Sequence, residues 1–248
     1  MSVYSTVKSI MPDFIKFLIF RVRDFVKWKP HQVVMYSQGA EDIILASIFG
    51  NREKGFWIDV GAHHPQRFSN TYLFSLRGWT GINIDALPGS MAIFKKMRPN
   101  DINLEIPIFK ERQKLTYFQF NEPALNGFSE ELSLERNGIG GAEIINRVEM
   151  EGFPLKDILA DHLPKDQRTI DFLSVDVEGY DLPVLESNDW NTYRPKVVLV
   201  ELLNRSMEKL KSDPVVLFLE KKNYQLFAKA CQTAFFVSNE YMAEHDAS

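Results

Sequence analysis

Carboxylates stand at or just beyond the ends of several short apolar runs: Asp59 with Gly61, Asp85, the pair Asp176-Val177-Glu178, and Glu201. A glycine directly after such a run permits a tight turn and close approach of a ligand to the backbone. Asp85 lies 24 positions beyond Gly61. A carboxylate at that spacing offers paired acceptors for the two hydroxyls of a ribose. Asp176 and Glu178 follow an apolar run, where a carboxylate has no packing purpose. Three chemical uses are open: a general base for a substrate hydroxyl, acceptors for a cofactor's ammonium group, or ligands for a hard cation. The alternative is structural, with the pair capping a following helix through its N-terminal amides. His63 and His64 adjoin the glycine turn, and an imidazole near neutrality is suited to proton transfer, so His64 joins the candidate bases. A metal site would draw on Asp176, Glu178 and Glu201, with His64 a less suitable ligand for magnesium than oxygen.

The turn after the first run decides between cofactor classes. A dinucleotide needs a Gly-x-Gly-x-x-Gly turn whose amides reach a pyrophosphate. Here Gly61 is followed by Ala62, His63, His64 and Pro65, and no Gly-x-x-x-x-Gly-Lys-Ser/Thr loop occurs anywhere. The cofactor should therefore carry a ribose and little or no phosphate, a description that S-adenosylmethionine fits. A divalent metal such as magnesium is a second, less favoured component.

These residues need elements to place them. Runs rich in Val, Ile, Leu and Phe predict strands at Phe56–Val60, Gly81–Asp85, Ile102–Phe109, Asp171–Val175 and Val197–Glu201, separated by segments with helical character. That alternation predicts an α/β fold with a mostly parallel, doubly wound sheet and helices on both faces. Ligands of such sheets bind at the carboxyl ends of the strands, where the acids lie. Helices are predicted over Ser69–Leu76, capped by Ser69 or Asn70, over Ser90–Met97, Tyr180–Glu186, Met207–Leu210 and Pro214–Lys222. Lys114–Phe120 alternates as a strand should, and Gln225–Phe227 with Ala234–Val237 predicts a late antiparallel pair. Asn121–Gly152 breaks the alternation and is too long for a plain connection, so it is expected to be a lid-like insertion that selects the substrate. Phe118, Phe120, Phe128 and Phe153 flank or enter it and offer an aromatic platform for a sugar ring, against the alternative of core packing.

Composition limits the function classes. The 248 residues are 45% hydrophobic and 25% charged, ordinary for a globular chain, with a net charge of −4. A dedicated nucleic-acid binder would be strongly basic. The single cysteine, Cys231, excludes an internal disulfide and a Cys-rich zinc site, which makes a cytoplasmic setting the default. Residues 1–30 differ from the rest: six basic residues face two acidic ones, and Phe14, Phe17, Leu18, Phe25 and Trp28 recur at roughly helical spacing. An amphipathic helical extension is predicted there. It would dock on its own domain or a second subunit, a dimer being one option, or rest peripherally on the inner face of a membrane. Residues 31–248 would then form the main domain.

The blocks Tyr36-Ser37-Gln38-Gly39-Ala40-Glu41-Asp42, Ile58 to Pro65, Ser69-Asn70-Thr71-Tyr72, Gly78 to Asp85, Asp171 to Gly179 and Arg194-Pro195-Lys196 follow one another in order. Together, over roughly residues 36–204, they resemble the FkbM-type family of S-adenosylmethionine-dependent methyltransferases. The resemblance implies a Rossmann-like class I methyltransferase fold and methylation of a hydroxyl on a sugar, glycan precursor or secondary metabolite. It implies that Asp59, Gly61 and Ala62 form the first cofactor motif and that Asp85 is the ribose-binding acid. Asp176 and Glu178 match its acidic pair, and Gln38, Glu41 and Asn70 match polar blocks expected near the cofactor's methionine end. The alternatives are a nicotinamide-dependent oxidoreductase on a related fold and a catalytically silent nucleotide-binding or scaffold module.

Overall fold

Seven strands form one sheet, in the order Ile102–Glu105, Thr80–Asp85, Phe56–Val60, Phe172–Val175, Val197–Glu201, Thr233–Ser238 and Tyr224–Ala230. The structure, a computed structural model, describes residues 33–246 except Arg168, Asn204 and Arg205, together with Ile15. Apart from Ile15, the expected N-terminal helix over residues 1–30 lies outside these residues. The elements below belong to the unit Tyr36–Ser248.

The parallel strands are β1 (Phe56–Val60), β2 (Thr80–Asp85), β3 (Ile102–Glu105), β6 (Phe172–Val175) and β7 (Val197–Glu201). β9 (Thr233–Ser238) runs antiparallel to β7 and to β8 (Tyr224–Ala230), which closes the edge as the late pair predicted. This is the mostly parallel, doubly wound α/β architecture expected. Successive side chains of a strand point to opposite faces, and each face has its own apolar layer. Ile58, Val60, Ile82, Ile84, Val198 and Val200 pack against α5 (Leu155–His162), α6 (Asp181–Glu186) and α8 (Pro214–Lys221). Trp57, Phe172, Val197 and Leu199 pack on the other face against α1 (Glu41–Phe49), α2 (Tyr72–Leu76) and α9 (Asn239–Asp246). Strands sandwiched this way must be apolar on both sides, which is why they read as unbroken runs. Among the described residues no helix is long and apolar enough to cross a membrane.

Two elements fall short of expectation by three residues or more, for local reasons. β3 stops at Glu105 rather than Phe109, because Pro107 has no N–H to continue the ladder. The helix expected from Ser69 starts at Tyr72, since the Ser69 hydroxyl accepts from the amides of Thr71 and Tyr72 at 3.3 and 3.1 Å and holds those residues in a turn.

The segment expected as a lid-like insertion has its own sheet. β4 (Gln113–Phe120) pairs antiparallel with β5 (Ile144–Gly152), separate from the main sheet. Between them lie a 3₁₀ turn, Pro123–Leu125, and α4 (Glu130–Arg136), whose start is capped by the Ser129 hydroxyl accepting from Leu132 N at 3.2 Å. The excursion thus begins at Gln113 rather than Asn121, because the strand expected at Lys114–Phe120 finds its partner inside the supposed loop. β5 carries no strand signature in the sequence: Ile144, Asn146, Val148 and Met150 alternate with Ile145, Arg147, Glu149 and Glu151, a ribbon pattern with no continuous apolar run. Phe118 and Phe120 are 3% and 2% exposed within this unit, which removes them from any sugar platform.

Candidate active site

A cavity of about 380 Å³ opens at the carboxyl ends of the parallel strands. Its wall brings together Gln38, Glu41, Asp59, Gly61, Ala62, Asn70, Asp85, Asp176, Glu178 and Glu201, every cofactor, acidic and metal candidate read from the sequence except His64. The inserted unit supplies part of the wall through Tyr117, Pro123, Ala124, Asn126, Gly127 and Phe128. Of the four phenylalanines offered as a platform, only Phe128 reaches the cavity, joined by Phe68, which is 40% exposed.

The turn after β1 is built on Gly61, at φ +86°, with Gly61 N and Ala62 N both donating to Ile84 O. A Cβ on Gly61 would lie 1.7 Å from the carbonyl oxygen of Asp176. Glycine is needed there by the neighbouring strand end rather than by an approaching ligand. Asp85 is locked in place: one carboxylate oxygen accepts from His63 N at 2.8 Å and the other from Leu87 N at 2.8 Å. Both oxygens keep further lone pairs. Asp59 is buried and accepts from the Thr71 hydroxyl at 3.4 Å. Burial pushes its carboxyl up to about 6, against the pull of Arg98. That arginine is 3% exposed and donates to Asp101 at 2.6 Å and to Thr71 at 2.8 Å, so the support behind Asp59 is a closed polar network. Asn70 donates to the Ser174 hydroxyl at 3.1 Å, and Glu41 accepts from Gly39 N at 2.7 Å and from the Thr233 hydroxyl at 2.9 Å.

The two histidines separate. His64 Nδ1 accepts from the amides of Gln66 and Arg67 at 3.1 and 2.9 Å, so its ring closes a turn outside the cavity wall. His63 lines the cavity, its Nε2 buried without a hydrogen bond, and burial then the charge of Arg67 push its proton affinity down. Nothing in two adjacent identical residues signals which of them faces inward; in the fold His63, at φ +52°, lines the cavity while the His64 ring is held by its own turn.

Asp176, Glu178 and Glu201 place carboxylate oxygens within 4.8 Å of one another. The structural alternative for the acidic pair is taken by another residue. Asp181, at the start of α6, accepts from Val177 N at 3.1 Å and Gly179 N at 3.3 Å and closes the turn itself. An Asp in the first turn of a helix is a signal legible in the sequence. The side chain of Asp176 opens to the cavity, yet crowding by protein and then the charges of Glu201 and Glu178 hold its carboxyl well above the ordinary range. Solvent entering from the cavity softens the first cause and leaves the like-charge repulsion standing. Burial raises Glu178, and Arg136 opposes that rise. Burial and then Glu178 and Asp181 push Glu201 up to about 8. Such a set can share a proton or, through its oxygens, hold a hard cation.

Backbone strain is concentrated here. Among the described residues six other than glycine have positive φ, and His63, Phe68, Glu178 and Cys231 of that six line the cavity. Strained conformations cost about 1–3 kcal/mol each and gather at functional sites.

Raised carboxylates make stability depend on pH. Asp181, at about 7 through burial, and Glu201, at about 8, hold protons in the folded chain that the unfolded chain has released above its ordinary range near 4. Their contribution is therefore most favourable at the acid end and is lost as pH rises through about 4–8. Glu201→Gln should be neutral to stability at pH 5 and stabilising by about 1 kcal/mol at pH 8.5, a discounted figure because the group is partly open to solvent. Denaturant unfolding of both proteins at the two pH values checks this; a gain that does not grow with pH would refute it.

The family model for the methyltransferase FkbM domain matches residues 59–226, which takes in the carboxyl ends of β1, β2, β3, β6 and β7 and the inserted unit, with Gln38–Glu41 and the β8–β9 turn outside it. No curated protein matches the chain. The family match covers well over half of the residues and coincides with the strand-end cavity, so the chain belongs to the FkbM methyltransferase family.

Proposed function

We propose that the chain is an S-adenosylmethionine-dependent O-methyltransferase acting on a hydroxyl of a sugar, glycan precursor or secondary metabolite. One observation carries this reading: among the described residues the cavity wall holds six carboxylates, Glu41, Asp59, Asp85, Asp176, Glu178 and Glu201, and neither lysine nor arginine. A nicotinamide dinucleotide would bring a pyrophosphate into that field with no cation to meet it, at a cost set by like-charge repulsion. A sulfonium with an ammonium group suits the same field. Asp85 would hold the ribose hydroxyls, and the apolar Leu87, Ile106 and Ile108 beside it would take the base. The acids at the ends of β6 and β7 would face the cationic end.

When bound, the cofactor supplies an electrophilic methyl group. The acceptor hydroxyl must be brought in line with that methyl and lose its proton as the new C–O bond forms. Asp176 would accept that proton: crowding by protein and then the charges of Glu201 and Glu178 hold its proton affinity above the ordinary carboxylate range, which makes it the stronger base. The inserted unit, with Asn126, Gly127 and Phe128 at the wall, would exclude water and shape the acceptor space. The lack of lysine and arginine favours an uncharged acceptor over a phosphorylated one.

Titration calorimetry with S-adenosylmethionine, its demethylated product and NAD tests the assignment. The first two should bind and NAD should not; NAD binding alone would restore the oxidoreductase reading, and binding of none would restore the silent module. Asp85→Ala should weaken S-adenosylmethionine binding by about 1.5–3 kcal/mol, the scale of hydrogen bonds involving a charged group, or roughly 10–150-fold in Kd. Unchanged affinity would remove Asp85 from the ribose site.

A further inference from the structure

Among the described residues three phenyl or phenol rings line the cavity. Tyr117 and Phe128 are buried against each other with ring centroids 4.8 Å apart, and Phe68 is exposed. Phe68 sits at φ +56°, which is an outlier for a bulky side chain and free for glycine. A ring kept in solvent at that cost adds little to the core. Its neighbours hold it in place. The Arg67 guanidinium lies 4.4 Å from its centroid and donates to both carboxylate oxygens of Glu122, at 3.2 and 3.3 Å. Glu122 opens the 3₁₀ turn whose Pro123 and Ala124 stand in the cavity wall. The His63 ring lies 6.2 Å from that of Phe68, tilted by 19°. On the other side Ser69 N donates to Tyr36 O at 3.1 Å, and Asn70 is tied to Ser174 of β6. Phe68 is thereby fixed between the β1 turn and the inserted unit, two residues from a contact with the strand that leads to Asp176.

We propose that Phe68 is the acceptor platform, stacking on the apolar C–H face of a neutral pyranose ring whose hydroxyls are received by the polar wall. This rests on the methyltransferase reading and narrows its acceptor to a sugar ring. The chemistry of the wall selects that class. Its carboxylates, together with the side-chain oxygens of Gln38, Asn70 and Asn126, accept hydrogen bonds from hydroxyl groups. The described wall has no lysine or arginine to meet a phosphate or carboxylate on the acceptor. An aromatic ring has a negative face that attracts the weakly positive hydrogens of C–H groups. A pyranose with equatorial hydroxyls presents both features at once, axial hydrogens on its faces and hydroxyls around its rim. An open-chain polyol has the hydroxyls without the face. The Arg67 contact keeps the ring from turning, and the Glu122 pair links the platform to the insertion that closes the same wall.

Saturation-transfer NMR of the full chain with methyl β-D-glucopyranoside, with and without the demethylated cofactor, tests this. The axial protons of one ring face should receive more saturation than those of the other, and sorbitol should receive little. In phenylalanine-labelled protein the Phe68 ring signals, assigned through Phe68→Leu, should shift as the glucoside is added. Phe68→Ala should weaken glucoside binding by about 3–10-fold, the scale of one stacked ring. Phe68→Tyr should restore it, and the affinity for S-adenosylmethionine should be unchanged in both variants. Phe68→Gly, which suits the positive φ, should lose the glucoside equally while melting no lower than the unsubstituted chain. That separates a lost platform from a damaged fold. No glucoside signal, equal saturation of both faces and of sorbitol, or an unmoved Phe68 ring would overturn the proposal. A fall in cofactor affinity in Phe68→Ala would overturn it as well and assign the ring to adenine. Absence of S-adenosylmethionine binding in the unsubstituted chain would instead fault the functional reading, and the glucoside contacts recorded without cofactor would still decide the platform.

Discussion

Asp176→Asn should lower kcat for methyl transfer by about 10²–10⁴-fold, the range lost with a general base, while the protein melts no lower than before. The two halves of this expectation come from different parts of the residue. The backbone of Asp176 is structural: its N donates to Val60 O at 3.0 Å, and its carbonyl oxygen sits against Gly61. Asparagine keeps both contacts. The side chain opens to the cavity, and its carboxyl is raised by crowding and by its acidic neighbours, so ionising it costs folding energy at neutral pH. A neutral, nearly isosteric amide removes that repulsion. Lower activity with equal or higher melting temperature would be the signature of a group kept for chemistry at the expense of stability. A fall in both would instead mark a structural hydrogen bond. Near-normal turnover would remove Asp176 from catalysis and move attention to His63, which lines the cavity with Nε2 unbonded, rather than to His64. A chelator arm separates base from cation: the three carboxylates could ligate magnesium, but Glu178 already spends an oxygen on Arg136. Activity should therefore persist in excess chelator, and loss restored by magnesium would replace proton transfer with metal activation.

Gly61→Ala should destabilise the fold by about 2–4 kcal/mol and abolish cofactor binding in the fraction that still folds. A φ of +86° is already unfavourable for alanine. The larger cost is steric, since a methyl group 1.7 Å from the Asp176 carbonyl oxygen cannot be accommodated without parting β1 from β6 at their carboxyl ends. At about 2–4 °C per kcal/mol for a chain of this size, the melting temperature should drop by roughly 4–16 °C. The same displacement would move Asp176 relative to Asp85. If calorimetry found full affinity in Gly61→Ala, the contact between the two strand ends would not set the geometry of the cavity.

Much of this site is legible in the sequence. Burial on both faces leaves a local mark, an unbroken apolar run with no polar face, and parallel strands joined by helices must present their carboxyl ends on one edge. From those two facts Asp59, Asp85, Asp176 and Glu201 converge, whatever the number of residues between them, and they do. The missing phosphate-binding glycines are equally local, and they turned attention from dinucleotides to a cofactor with little or no phosphate. What the tertiary structure alone decided depends on contacts with no periodic trace. β5 became a strand because β4 was there to pair with it, and its charged, two-sided ribbon has no core to advertise. His63 rather than His64 lines the cavity, while the His64 ring accepts from the amides of Gln66 and Arg67. Gly61 owes its identity to the carbonyl of a residue 115 positions later, and Glu178 meets its cation from a helix inside the insertion. Sequence periodicity records which face of an element is buried; it carries no record of what lies across the gap, and that is settled only when the chain closes on itself.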